Sequence, residues 1–274
     1  MPGGDRTDAE AAAGTRPLLV FSHANGFPAP VYRKLFALLE ADFRVRAVAR
    51  YGHDPRYPVT DGWTALARQL VDFLEHDCGA EPAILVGHSL GGYLSLMAAK
   101  SRPDLVRRVI LLDAPLVAGW RAQLLRLSKR TGLDDRFSPA GPTRRRRTRW
   151  PDLASVEAHF ASKPAFRQWD AEMLRDYSEF GTVADPQGRA LAFERDVEYR
   201  IYKTLPHRVG GLARHPFPVP VTFIGGRESN EIRMTGLGAT RRVTAGRIVW
   251  TAGSHLFPFE HPHETALLIR QACD

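Results

Sequence analysis

Short runs of consecutive apolar residues alternate along the chain with longer stretches in which apolar positions recur every three or four residues. Pro17-Leu18-Leu19-Val20-Phe21-Ser22, Ile84-Leu85-Val86 and Val109-Ile110-Leu111-Leu112-Asp113 are of the first kind. Such runs predict strands covered on both faces, as in a parallel sheet. Phe43 to Ala49, Val219 to Gly225 and Arg247 to Trp250 predict three more. The second kind predicts amphipathic helices over Val31 to Ala41 and Asp61 to Asp77; in the latter Trp63, Leu66, Leu70, Phe73 and Leu74 share one face. Tyr93 to Lys100 and His263 to Ala272 read as helices as well. Strands alternating with helices imply parallel pairing with right-handed crossovers.

That alternation lapses between Pro115 and Pro218. No buried strand is legible there; helix-like pieces over 119–129, 153–161 and 166–180 are separated by prolines and glycines. The expected architecture is α/β: a mostly parallel sheet of about six strands with helices on both faces. Residues 16–114 and 219–274 form its core, and 115–218 form a helical cap inserted after the fourth strand. Residues 1–15, Gly/Ala-rich and polar, read as a flexible tail.

Composition changes this picture little. With 274 residues, 44% hydrophobic and 25% charged, the chain can bury a substantial core. No apolar run approaches the roughly 18 residues of a membrane span. The start of the chain lacks the basic-then-apolar pattern of a secretory signal, so a cytoplasmic location is expected. Two cysteines, Cys78 and Cys273, make no disulfide framework or metal-like cluster, and no metal or organic cofactor is expected. The net charge of +8 falls to +3 without the five arginines of Arg144-Arg145-Arg146-Arg147-Thr148-Arg149. So local an excess reads as a solvated surface segment, with a nucleic-acid patch as the lesser alternative.

The chemistry concentrates at Gly87-His88-Ser89-Leu90-Gly91-Gly92, between a strand and a helix. Gly-x-Ser-x-Gly in that context predicts a sharp, strained turn that lifts a serine hydroxyl clear of the sheet. Side chains at the flanking positions would strike the turn or the neighbouring strand. Ser89 is therefore the candidate nucleophile, and the Leu90 N–H, at a helix N-terminus, faces the place where an oxyanion would form. A nucleophilic serine needs a base. Of the ten histidines, His255 follows the last strand, whose loop lies at the same sheet edge as the serine. A third group must orient His255. Glu228 and Asp113 each close a strand; Glu228 is favoured and Asp113 is the alternative. Asn25, in the loop after the first strand, is the candidate second oxyanion donor. Phe27, His88, Tyr93 and Phe257 are expected to line the substrate pocket, while His23 is expected to shape its loop.

Taken together, the Gly87–Gly92 segment, the His23-Ala24-Asn25-Gly26 loop and Gly253-Ser254-His255-Leu256-Phe257-Pro258 resemble the α/β-hydrolase fold, in its cap-bearing group of esterases and lipases. The resemblance covers the whole chain except the tail and the details of the cap. It implies a Ser-His-acid triad, with Ser89 as nucleophile, His255 as base, Asn25 and Leu90 as oxyanion donors, and Glu228 where the family usually has aspartate. It departs from the family in that glutamate, in a second-strand loop lacking the usual Asp-x-x-Gly-x-Gly-x-Ser wording, and in the absence of the first two strands. The implied reaction is hydrolysis of a carboxylic ester, thioester or lactone of a small, partly apolar acyl substrate through an acyl-enzyme. An acyltransferase or a catalytically silent binding protein are the rival readings.

Overall fold

The computed structural model describes residues 16–131, 140–207 and 216–274. The proposed tail lies outside the described residues. Six strands form one sheet: β1 (Leu18–Ser22), β2 (Arg44–Ala47), β3 (Ala83–His88), β4 (Val106–Leu112), β8 (Val221–Gly226) and β9 (Ile248–Thr251). Every pairing in it is parallel, in the order β2-β1-β3-β4-β8-β9. The all-apolar runs are the central strands, because both faces of each are covered. Along β1, Leu18 and Val20 enter one core and Leu19 and Phe21 the other.

The first core packs against α2 (Thr64–Asp72) and α3 (Leu90–Ser101). The predicted 61–77 helix is α2 followed by a π-helical turn over Phe73–Asp77. The second core packs against α1 (Arg33–Leu39) and the closing helix Pro262–Gln271. It continues into residues between β4 and β8, among them Trp150, Phe160, Trp169 and Tyr177.

That intervening segment holds a small sheet in addition to the helices expected of it. It carries α4 (Gly119–Thr131), α5 (Ala140–Arg144), α6 (Leu153–Ala161), α7 (Ala171–Phe180) and α8 (Arg195–Lys203). It also carries an antiparallel three-stranded sheet of β5 (Arg149–Trp150), β6 (Thr182–Asp185) and β7 (Gly188–Leu191), in the order β5-β7-β6. Strands of two to four residues are too short to show an alternation in sequence. The predicted 166–180 helix starts only at Ala171, where the Asp170 carboxylate caps it by accepting from the N–H groups of Glu172 and Met173.

The arginine run is not a uniform solvated face either. Arg146 turns inward, where its Nη1 pairs with Glu198 Oε2 at 2.6 Å and its Nη2 bonds the Tyr177 hydroxyl. Arg144 lies 4.4 Å from the Tyr199 ring centroid, and Arg149 bonds Gln187. Among the described residues, no helix is long and apolar enough to cross a membrane.

The strand order reverses between β1 and β3. Consecutive connections leave to opposite sides there, which opens a crevice at the carboxyl ends of these strands. The loop after β1 and the turn after β3 both border it.

Candidate active site

Ser89 occupies the corner between β3 and α3 with φ 52° and ψ −112°, a positive-φ backbone conformation costing roughly 1–3 kcal/mol for a residue with a side chain. Its N–H donates to the Leu112 carbonyl at 3.0 Å, which ties the strained residue to β4. The glycines are required by close approach. A Cβ on Gly91 would lie 1.9 Å from the Ser22 carbonyl oxygen, and one on Gly87 would lie 2.3 Å from the Gly91 backbone.

The loop after β9 brings His255 to this corner. Its Nε2 is 3.0 Å from Ser89 Oγ, and its Nδ1 is 2.7 Å from Asp113 Oδ2. A carboxylate only accepts, so Nδ1 carries the proton and Nε2 is free to accept from the serine hydroxyl. Asp113 is fully buried directly after β4. Its carboxylate also accepts the Gly226 N–H at 3.0 Å and the Ser229 hydroxyl at 2.6 Å. Burial alone would lower the basicity of His255. The hydrogen bond and charge of Asp113, with Glu231 and Glu260 behind it, outweigh that and raise its pKa above 6.5.

The favoured acid of the sequence reading, Glu228, is not at the imidazole. It is exposed, and Asp113 holds the position instead. The reason is register. Asp113 leaves β4, next to the serine-bearing β3, whereas Glu228 lies two residues beyond β8, where the chain turns outward.

The loop after β1 is clamped by side chains. His23 is fully buried; its Nε2 accepts the Tyr51 N–H at 3.0 Å, so Nδ1 is the donor to the Ala24 carbonyl, 2.8 Å away. Burial, with smaller contributions from His53 and Arg50, lowers its pKa to about 4. The Ala24 carbonyl and the Asn25 N–H belong to one trans peptide and point in opposite directions. Holding the first therefore aims the second. The Asn25 side-chain amide donates to the Glu198 carbonyl at 3.0 Å. Leu90, the first residue of α3, has no intrahelical acceptor for its N–H.

Two cavities meet at Ser89 and His255. One, of about 460 Å³, is lined mainly by apolar groups including Trp63, Leu90, Tyr93, Val117, Trp120 and Leu124. The other, of about 420 Å³, is more polar and is bordered by Asn25, Phe27, Tyr202, Glu228 and Glu231. Of the expected pocket residues, Phe27 and Tyr93 line these cavities. His88 and Phe257 do not. Both are fully buried, because the last residue of β3 and the first residue of the Phe257–Glu260 turn face the core. Sequence reading also missed Ser229 and Glu260. Glu260 accepts the Ser254 N–H at 2.8 Å and so braces the loop that bears His255. A buried glutamate five residues after a candidate histidine carries no motif by which to find it.

The ligand atoms of Asp113, Glu231 and His255 lie within 4.8 Å of one another, a set of three that could hold a cation. Two of them are already hydrogen-bonded to each other, so a metal there would have to break the Asp113–His255 contact.

A model of the alpha/beta hydrolase family matches residues 19–266. The chain is 34% identical over 102 residues to the 2-(acetamidomethylene)succinate hydrolase of Mesorhizobium japonicum, a match covering 36% of each chain. It is 35% identical over 101 residues to the pimeloyl-[acyl-carrier protein] methyl ester esterase of Aromatoleum aromaticum, covering 35% of this chain and 37% of that one. These matches thus span little more than a third of the relatives' own lengths. Among solved structures, an E-2-(acetamidomethylene)succinate hydrolase superposes with a TM-score of 0.75 at 24% identity, covering 95% of this chain and 92% of the other. The thioesterase domain from the curacin biosynthetic pathway superposes at 0.73 and 19% identity, covering 93% and 92%. At those identities the superpositions speak to the fold.

Proposed function

The chain belongs to the alpha/beta hydrolase family, and from that premise we propose that it is a serine hydrolase of carboxylic esters. The observation that carries the reading is the unbroken line from Ser89 Oγ to His255 Nε2, and from His255 Nδ1 to Asp113 Oδ2, at 3.0 and 2.7 Å. In this reading Asp113, not Glu228, is the acid of the triad. His255 takes the hydroxyl proton as Ser89 attacks the carbonyl carbon. The N–H groups of Asn25 and Leu90 hold the oxyanion of the tetrahedral intermediate. His255 then returns the proton to the departing alcohol, and water repeats the sequence on the acyl-enzyme.

The apolar cavity beside Ser89 supports a substrate with an apolar acyl or alcohol portion, and the more polar cavity would take the rest. A relative named as a methyl ester esterase agrees with ester cleavage, and one named as a hydrolase agrees with hydrolysis in general.

The test is covalent labelling by a fluorophosphonate, followed by turnover of chromogenic esters of graded acyl length. Ser89→Ala should lose both. Asp113→Asn should lower kcat by about 10⁴, whereas Glu228→Gln should stay within a fewfold of the parent. Labelling that persists in Ser89→Ala, or the reverse ranking of the two acid variants, would overturn the assignment.

A further inference from the structure

The side chain wedged between Gly87 and Ser89 has no place in the chemistry described so far. His88 is fully buried, with its ring centroid 5.2 Å from that of His255. Its Nε2 lies 2.9 Å from the backbone carbonyl oxygen of His255. A carbonyl can only accept, so Nε2 carries the proton. Its Nδ1 lies 2.8 Å from the Tyr32 hydroxyl. In a neutral ring Nδ1 must then accept, and Tyr32 must donate. The Tyr32 oxygen in turn accepts the Ala24 N–H at 3.2 Å.

Every direction in this line is fixed by the chemistry of its two ends. A protonated His88 would turn a second N–H toward Tyr32 and leave the phenol hydrogen without an acceptor. Burial, together with the neighbouring His255, keeps the ring neutral, its pKa far below the usual histidine range. Burial likewise keeps Tyr32 protonated.

We infer that His88 and Tyr32 are positioning residues of the active site. One directional hydrogen-bond chain, from the Ala24 N–H through Tyr32 and His88 to the His255 carbonyl, holds the oxyanion loop and the imidazole-bearing loop in a single mutual register. The two loops leave strands at different places in the sheet, β1 and β9. Ala24 is the neighbour of the proposed oxyanion donor Asn25, and the carbonyl at the other end belongs to the proposed base itself. Bonds that all run in the same sense polarise one another, so losing the middle weakens both ends. The inference rests on the serine-hydrolase reading of the same site.

The test uses the whole chain and a fluorophosphonate, whose reaction with Ser89 needs both the base and the oxyanion donors. Tyr32→Phe removes only the hydroxyl and keeps the ring against Phe21, Phe36 and Phe259. The second-order labelling rate should fall roughly 10- to 100-fold. On a chromogenic ester the fall should appear in kcat, with KM changed by less than about twofold. His88→Gln, whose amide N–H can still meet the His255 carbonyl, should keep more of the rate than His88→Leu. Phe36→Leu is the control, a neighbour of Tyr32 outside the chain of hydrogen bonds. It should lower the melting temperature without slowing the labelling in proportion.

Wild-type labelling rates in both Tyr32→Phe and His88→Leu would overturn the inference. So would an equal slowing in Phe36→Leu at a matched loss of melting temperature. A wild-type protein that is not labelled at Ser89 at all would instead sink the serine-hydrolase reading beneath it. If Tyr32→Phe does not fold, the ranking of His88→Gln over His88→Leu still decides the matter.

Discussion

At the residue scale, two strained positions define the site. Ser89 and Asp113 both have positive φ, at 52° and 44°, and each directly follows a central strand. Each is held by hydrogen bonds from neighbouring strands, which is how a conformation that is unfavourable alone persists in the folded chain. The serine was legible because glycines at fixed spacing advertise the turn. The carboxylate that meets His255 was not, because a carboxylate after a strand carries no such mark, and Glu228 and Asp113 look alike in sequence. The electrostatics of this pair also set a pH dependence. In the proposed mechanism the base must be a neutral His255, and Asp113 stabilises the charged imidazolium, raising its pKa above 6.5. The acidic limb of kcat/KM should therefore have its midpoint above pH 6.5. In Asp113→Asn the residual activity should show that limb moved to lower pH, measured from the acidic to the alkaline side of neutrality in buffers of constant ionic strength.

Among the elements, an ion pair between Arg146 and Glu198 joins two parts of the segment between β4 and β8 and lies against the loop after β1. A Cβ on Gly26, whose φ is +82°, would lie 2.9 Å from the Glu198 carboxyl and 3.2 Å from Arg146 Nη1. The Asn25 side chain bonds the Glu198 carbonyl from the same loop. Burial raises the Glu198 pKa, and Arg146 works against that shift. Removing one member of such a pair leaves a buried charge without its partner. Arg146→Met should thus destabilise the protein by about 3 kcal/mol in urea unfolding. Arg146→Met combined with Glu198→Leu should recover most of that loss, because no lone charge remains. A double variant as unstable as the single one would show that a lone buried charge is not the cause of the loss. The arginine run could not have disclosed this from sequence. Which of five adjacent arginines turns inward depends on where α8 places Glu198.

At the scale of the whole molecule, the parallel sheet gathers residues far apart in the chain at one edge. Asn25, Ser89, Asp113 and His255 each follow the carboxyl end of a strand, and the strand order β2-β1-β3-β4-β8-β9 makes their loops neighbours. The same packing buries neutral histidines, which makes stability depend on acid. His23, held at about 4 against an ordinary value of 6.5, takes up a proton in the unfolded chain before it does in the folded one. Its contribution is therefore complete above about pH 6.5 and is lost as the pH falls toward 4. The full window is worth roughly 3 kcal/mol at about 1.36 kcal/mol per pKa unit. His88 acts in the same direction. The melting temperature should accordingly drop on acidification from about pH 7 to about pH 4.5, and a flat profile by calorimetry would contradict this account.

The six-stranded α/β core, the place of the strained serine and the histidine that meets it are all legible in the order of residues along the chain. Those features rest on local rules: unbroken apolar runs where both faces of a strand are covered, and glycines where backbone approaches backbone. Packing between distant parts of the chain was needed to set that Asp113 rather than Glu228 meets His255, that Arg146 turns inward to Glu198, that His88 faces Tyr32 and not the cavity, and that a small antiparallel sheet interrupts the helices. Each of these depends on which distant residues a side chain meets, and such meetings are set by strand order and packing, which leave no periodic trace along the chain.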